Sequence, residues 1–162
     1  MERPGGERPV TPGKIRAATV LQKSAQVHAM LLGIQSLPLG SLNDFTSDPR
    51  NAAAAESYLR RALEGLLDLA RHILAKGLGP APAEYKEVAA LSARAGLISK
   101  SQGELMMRMA GYRNRLTHFY DEVTEQELYD ICSSSQMDDV RLLLDALLEW
   151  VRAHPDSVDG EL

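Results

Sequence analysis

From Lys14 onward, apolar positions recur at helical spacing with few interruptions. Ala17, Val20, Ser24, Val27, Leu31 and Ile34 fall on one stripe of a helix expected over about residues 12–35. Leu37-Pro38-Leu39-Gly40 breaks it. Asp48-Pro49 marks the next start, because an Asp at the N-cap accepts free amide bonds and Pro suits the first turn. The stripe Leu59, Leu63, Leu66, Ala70 and Ile73 carries that helix to Lys76, where Gly77 is placed to supply a left-handed end residue. Residues 77–82 read as a loop and residues 84–95 as a short helix ending at Gly96. Ser99 with Gln102 forms a capping box that opens the helix running to His118. Thr124 with Glu127 repeats the signal. The last helix is expected from Met137 to Ala153, with Val140, Leu143, Leu144, Leu147 and Val151 on its stripe. No stretch alternates as a strand and no segment repeats. The expected fold is therefore all-α, a bundle of four main helices with one or two short ones.

Composition narrows this picture. A chain of 162 residues, 44% apolar and 25% charged, is one domain with one core. With two Phe and one Trp, that core must be aliphatic, mainly Leu and Ala. The formal charge of −4 supplies no global basic field, which disfavours a nucleic-acid coat protein but not a small local basic site. The single cysteine, Cys132, excludes an internal disulfide and fits a reducing, cytoplasmic compartment. No apolar run reaches the length of a membrane span. Residues 1–13 hold six Gly and Pro among charged residues and lack the apolar core of a secretory leader. The organisation read from this is a disordered tail at 1–13, a helical domain at 14–153 and a flexible tail at 154–162.

Chemistry concentrates on the helix that begins after Ser99. Leu105, Met106, Met109, Tyr112 and Leu116 share a stripe with Arg113, and a guanidinium among apolar residues is costly unless a partner or water meets it. Arg113 is therefore expected to face a polar cleft or a subunit interface. Gly111, unfavourable in a helix by about 1 kcal/mol, is compatible with close approach of another helix. On a continuous helix His118 would lie roughly 140° from Arg113, so the two converge only if the helix ends or bulges near Thr117, or if two chains face each other. Between Leu105 and Tyr120 stand three arginines, one histidine and no acid, and five acids follow by Asp130. This basic stretch is sized for one or two phosphates. Glu64, Asp68 and His72 form a row at spacing four on the long helix. Such rows are common on solvated faces, so they read as an accessory polar patch and not as a metal site. No cofactor is expected.

The run Arg113-Asn114-Arg115-Leu116-Thr117-His118-Phe119-Tyr120 resembles the Arg-Asn-x-x-x-His-x-Tyr motif of the HepT-like branch of the HEPN superfamily. Phe45-x-x-Asp48-Pro49-Arg50 leading to Ala55-Glu56-x-x-Leu59 is similar to the opening of the family's long helix. Glu64, Asp68 and His72, followed by Tyr85-Lys86-Glu87, resemble its middle. Thr117 stands where an aliphatic residue is more usual, and the proline-rich tail is additional. The resemblance spans about residues 14–152.

It implies a metal-independent endoribonuclease, the toxin of a type VII-like toxin–antitoxin pair, with Arg113, Asn114 and His118 as catalytic residues. A histidine titrating near neutrality can accept and return protons, and an arginine can hold a phosphate through two parallel bonds. Acid and base roles need two groups, so the resemblance also implies a homodimer whose two motifs share a cleft. The implied partner is a minimal nucleotidyltransferase antitoxin that transfers AMP to Tyr120. A second function class stays open: a non-catalytic helical module that binds a nucleotidyltransferase or a nucleotide.

Overall fold

The computed structural model describes residues 13–162. Apart from Gly13, the tail expected at 1–13 lies outside them. Among the described residues there are seven α-helices: α1 (Ala17–Gln35), α2 (Leu42–Thr46), α3 (Pro49–Ile73), α4 (Tyr85–Arg94), α5 (Lys100–His118), α6 (Glu125–Cys132) and α7 (Gln136–Ala153). Short 3₁₀ turns follow α5 and α7, at Tyr120–Glu122 and Pro155–Ser157. The four long helices are α1, α3, α5 and α7. Among the described residues no helix is long and apolar enough to cross a membrane.

The fold is organised around α3, which touches all six other α-helices. Its sequence dictates this. Leu59, Leu66, Leu67, Leu69 and Ile73 are almost completely buried, each worth about 1.5–3 kcal/mol relative to exposure. Its polar side carries Arg60, Glu64, Asp68 and His72 in a row at spacing four, flanked by Arg61 and Arg71. Asp48 caps the helix by accepting the Arg50 amide at 2.9 Å, as the Asp-Pro start predicts.

Three local expectations are corrected, and one short helix is added. Helical spacing marks no element between Gly40 and Asp48, yet α2 forms there; Ser41 caps it by accepting the Asp44 amide, and Phe45 is fully buried 5.8 Å from the Tyr129 ring. Five residues are too few for a stripe to register. The long helix does not stop on a left-handed Gly77. It widens into a π turn at Leu74–Leu78, and Gly79, at φ 103°, takes the left-handed conformation. Gly77 instead makes room for Ile15, whose Cδ1 would stand 2.8 Å from an added Cβ. The close helix approach on α5 is at Gly103, where a Cβ would come within 2.6 Å of Ala93 Cβ, and not at Gly111, whose nearest such neighbour is the Lys86 side chain at 3.8 Å. Residues expected as a flexible tail from 154 are packed as far as Asp159. Val158 is buried, the Ile15 amide donates to Ser157 at 2.8 Å, and Asp159 Oδ1 accepts the Ala17 amide at 2.9 Å. One apolar residue and one cap fix this segment, and neither makes a periodic signal.

Candidate active site

The final turns of α5 carry Arg113, Asn114 and His118, and their placement follows from three polar anchors. Arg113 donates from Nε and Nη2 to Glu64 Oε1 on α3, at 3.3 and 3.2 Å. Arg115 pairs with Glu127 on α6. Thr117 returns its hydroxyl to the Arg113 carbonyl at 3.0 Å. The helix then ends: Phe119, at φ −131° and ψ 36°, leaves helical geometry while its amide still bonds Arg115 O at 2.8 Å. That ending releases Tyr120 from the apolar stripe its spacing would continue. Phe119 is 53% exposed and Tyr120 60% exposed.

The guanidinium of Arg113 is the pivot. Its side chain is only 21% exposed, so its partner matters. Glu64 binds it side-on, through Nε and Nη2, and is itself shared with Arg60 at 3.1 Å. The end-on fork, Nη1 with the second Nη2 hydrogen, keeps capacity; its one contact is Asn114 Oδ1 at a long 3.5 Å. A planar fork of this kind matches a phosphate bidentately. Arg113 also lies over the Tyr85 ring, 4.7 Å from its centroid. Tyr85 is fixed in turn by donating to Asp68 Oδ1 at 2.7 Å. Burial, reinforced by that bond, pushes the Tyr85 phenol up to about 12, so it stays a neutral donor.

Arg71, Tyr85, Lys86, Arg113, Asn114 and His118 line one open cleft of about 660 Å³. The structure thus brings the three motif residues to a single cavity and places Tyr120 just beyond its rim. Two of the three patch residues stand behind it: Glu64 grips Arg113 and Asp68 grips Tyr85. His72 does not join them. Its Nε2 accepts the Arg16 amide at 3.0 Å, at the start of α1. Burial, then the Lys76 and Arg16 cations, hold the His72 imidazole below its ordinary value, against the opposing pull of Asp159. Spacing alone put the three on one row, but neighbours decide which side of the row each serves. Tyr85 and Arg71 were missed as site residues, since a tyrosine and an arginine on separate helices carry no joint signal in sequence.

The chain matches the family model for ribonuclease HepT-like proteins over residues 31–147. It belongs to the HepT-like family. The match encloses α3, α4, α5 and α6, and so every residue of the cleft. Among solved structures, the fold resembles a tri-AMPylated HEPN toxin of Shewanella oneidensis in complex with an MNT antitoxin, at TM-score 0.72 and 21% identity, covering 81% of this chain and 97% of that one. A toxin–antitoxin structure with AMP-PNP is similar at TM-score 0.71 and 21% identity, over 80% and 97% of the two chains. YutE of Bacillus subtilis, a cytosolic protein of unknown function, is similar at TM-score 0.70 and 12% identity, over 85% and 91%. At these identities the likeness establishes the shared HEPN fold. Comparison with curated protein sequences finds no match.

Proposed function

We propose that this HepT-like protein is a metal-independent endoribonuclease, the toxin of a toxin–antitoxin pair, silenced when a nucleotidyltransferase antitoxin transfers AMP to Tyr120. The observation that carries the reading is the juxtaposition at the end of α5. Arg113, Asn114 and His118 line one cleft, with the Arg113 fork open, while Tyr120 stands exposed outside the helix. The likeness to a tri-AMPylated HEPN toxin bound to its antitoxin supports the same reading.

The chemistry follows from the groups present. A histidine takes the proton of a ribose 2′-OH, whose oxygen attacks the adjacent phosphorus. The P–O5′ bond breaks, and a protonated histidine returns a proton to the leaving oxygen. The Arg113 fork bears the charge that builds on the phosphoryl oxygens, and Asn114 orients fork or phosphate. In a homodimer, His118 of each protomer supplies one of the two proton-transfer groups. Modification consists of Tyr120 Oη attacking the α-phosphorus of ATP, with loss of the phenol proton and release of pyrophosphate. The added nucleotide sits two residues from His118 and brings negative charge to the mouth of a cationic cleft.

Purified protein should cut RNA to 2′,3′-cyclic phosphate and 5′-hydroxyl ends, with a chelator present. Arg113→Ala and His118→Ala should each abolish cutting while circular dichroism stays unchanged. Incubation with the antitoxin and ATP should add adenylyl mass to the Tyr120 peptide, and Tyr120→Phe should refuse the label and resist silencing. Full nuclease activity in both cleft variants would remove the enzyme reading. Absence of cutting on any RNA, with the antitoxin still bound, would favour a non-catalytic partner module.

A further inference from the structure

We propose that Arg71, Lys86 and the first turn of α4 form a second phosphate subsite in the cleft, holding the phosphodiester next to the one that Arg113 takes. This rests on the ribonuclease reading for its ligand, a single-stranded RNA, and on the following geometry for its place.

The Arg71 guanidinium lies over the Tyr85 ring at 4.7 Å from the centroid, the same distance as Arg113. The two cations are therefore at most twice that distance apart, with one aromatic ring as their common reference. Tyr85 cannot wander, because its hydroxyl is bonded to Asp68. Nor is its ring free to stack a base while two guanidiniums lie over it. It acts as a spacer, and what it spaces is a pair of phosphate-binding groups on neighbouring positions of one strand.

Charge points the same way. Asp68 is divided among Tyr85, Lys23 at 3.5 Å and Arg71 at 3.8 Å, and Glu64 between Arg60 and Arg113. These carboxylates compensate the cations from behind. Along the cleft wall Arg71, Lys86 and Arg113 face a single acid, Glu84. Arg71 Nη2 spends a bond on Ala83 O at 3.3 Å, while its buried Nε has no protein partner. Helix α4 begins in the same wall: Glu84 occupies its N-cap without a side-chain capping bond, and the other first-turn acid, Glu87, is not among the residues that line the cleft, so the amides at the helix start stay available beside the Arg71 and Lys86 cations. Phe119 at the rim, half exposed, offers an apolar face for a base, which fits a nucleotide strand better than a free anion.

The test is binding of a 2′-O-methyl RNA hexamer, which cannot be cut, followed by fluorescence anisotropy. Arg71→Gln and Lys86→Ala should each weaken binding about tenfold and lower the slope of log affinity against log salt by about 0.7. Lys86 is exposed, so that variant folds even if Arg71→Gln does not. A set of hexamers in which each linkage in turn is a neutral methylphosphonate then locates the contacts, since a variant loses its effect when its phosphate is already uncharged. The linkage that neutralises Lys86→Ala and Arg71→Gln should lie directly beside the one that neutralises Arg113→Gln. Coupling to the same linkage as Arg113, coupling to none, or no binding of the hexamer overturns the subsite. Inorganic phosphate competing with equal strength per site, with no preference for the hexamer, would also overturn it by reassigning the site to a free anion. A protein that shows the adjacent-linkage pattern but cuts no RNA keeps the subsite and loses the ribonuclease reading; one that cuts RNA without Arg71 or Lys86 dependence does the reverse.

Discussion

The two ends of α5 are built from the same backbone and are held by opposite means. At its start, Ser99 and Gln102 satisfy each other's amides at 3.2 and 2.9 Å, Gly103 nests on Ala93, and Met106 and Ala110 are fully buried. Tyr112, the residue just before the motif begins, keeps its hydroxyl buried with no protein partner. Eight residues later Tyr120 is mostly in solvent. Between them, Glu64, Glu127 and the Thr117 hydroxyl secure the helix end without covering it. The contrast teaches how a helix can present polar groups: burial fixes its first half, and at its last turn Leu116 alone is buried while charge-assisted bonds hold the side chains that line the cleft.

The largest effect that can break this contrast is at His118. His118→Ala should cost about 10²–10⁴-fold in RNA cleavage with no change in the melting curve, because the side chain is exposed and carries no packing. A melting transition that falls with activity would make the two ends alike. Met106→Ala is the mirror experiment. It should lower stability by about 2–5 kcal/mol in urea unfolding, with cleavage per folded molecule preserved. Tyr112→Phe sharpens the comparison further. Removing a hydroxyl whose burial is not offset by a protein bond should stabilise the fold by about 1 kcal/mol, whereas Tyr120→Phe should leave stability where it was. The smallest effect is pH-dependent and lies on α3. The folded His72 imidazole has a lowered pKa, so its contribution is whole above the unfolded value near 6.5 and is lost as pH falls through that value toward the folded one. Wild type should lose more stability between about pH 7.5 and about pH 5.5 than His72→Gln does. Equal losses would show that the Arg16–His72 bond is not sensed by the fold.

Much of this was legible in the chain. The capping box at Ser99, the Asp48-Pro49 start and the aliphatic stripes state the long helices, because caps and period are local properties. The Arg113 side chain was legible as an anomaly: a cation on an apolar stripe needs an answering group, and Glu64 is that group. Which acid answers, however, is set by how α3 and α5 cross, and no local pattern encodes a crossing. The second capping signal shows the same limit. Thr124 accepts the Glu127 amide at 3.1 Å, yet the Glu127 carboxylate is engaged by Arg115. Local grammar named the position correctly and tertiary charge took the side chain. Tyr85 is the clearest case, since its role exists only once α3, α4 and α5 meet around it.

The bridge between Ile15 and Val158 has a kinetic consequence. It joins residues separated by nearly the whole chain, so among the described residues it closes a loop far longer than any helical contact and should form after the helices it ties together. Buried Ile15 and Val158, a few backbone bonds and the Asp159 cap on Ala17 hold it, so it opens as a local unit at the edge of the fold. Amide exchange at Ile15, Ala17 and Asp159 should therefore run ahead of global unfolding and in step with one another. Because the Arg16 amide is held by His72, the same opening frees the far end of the polar row on α3. Fraying at the chain's margin and release of the His72 side chain are one event.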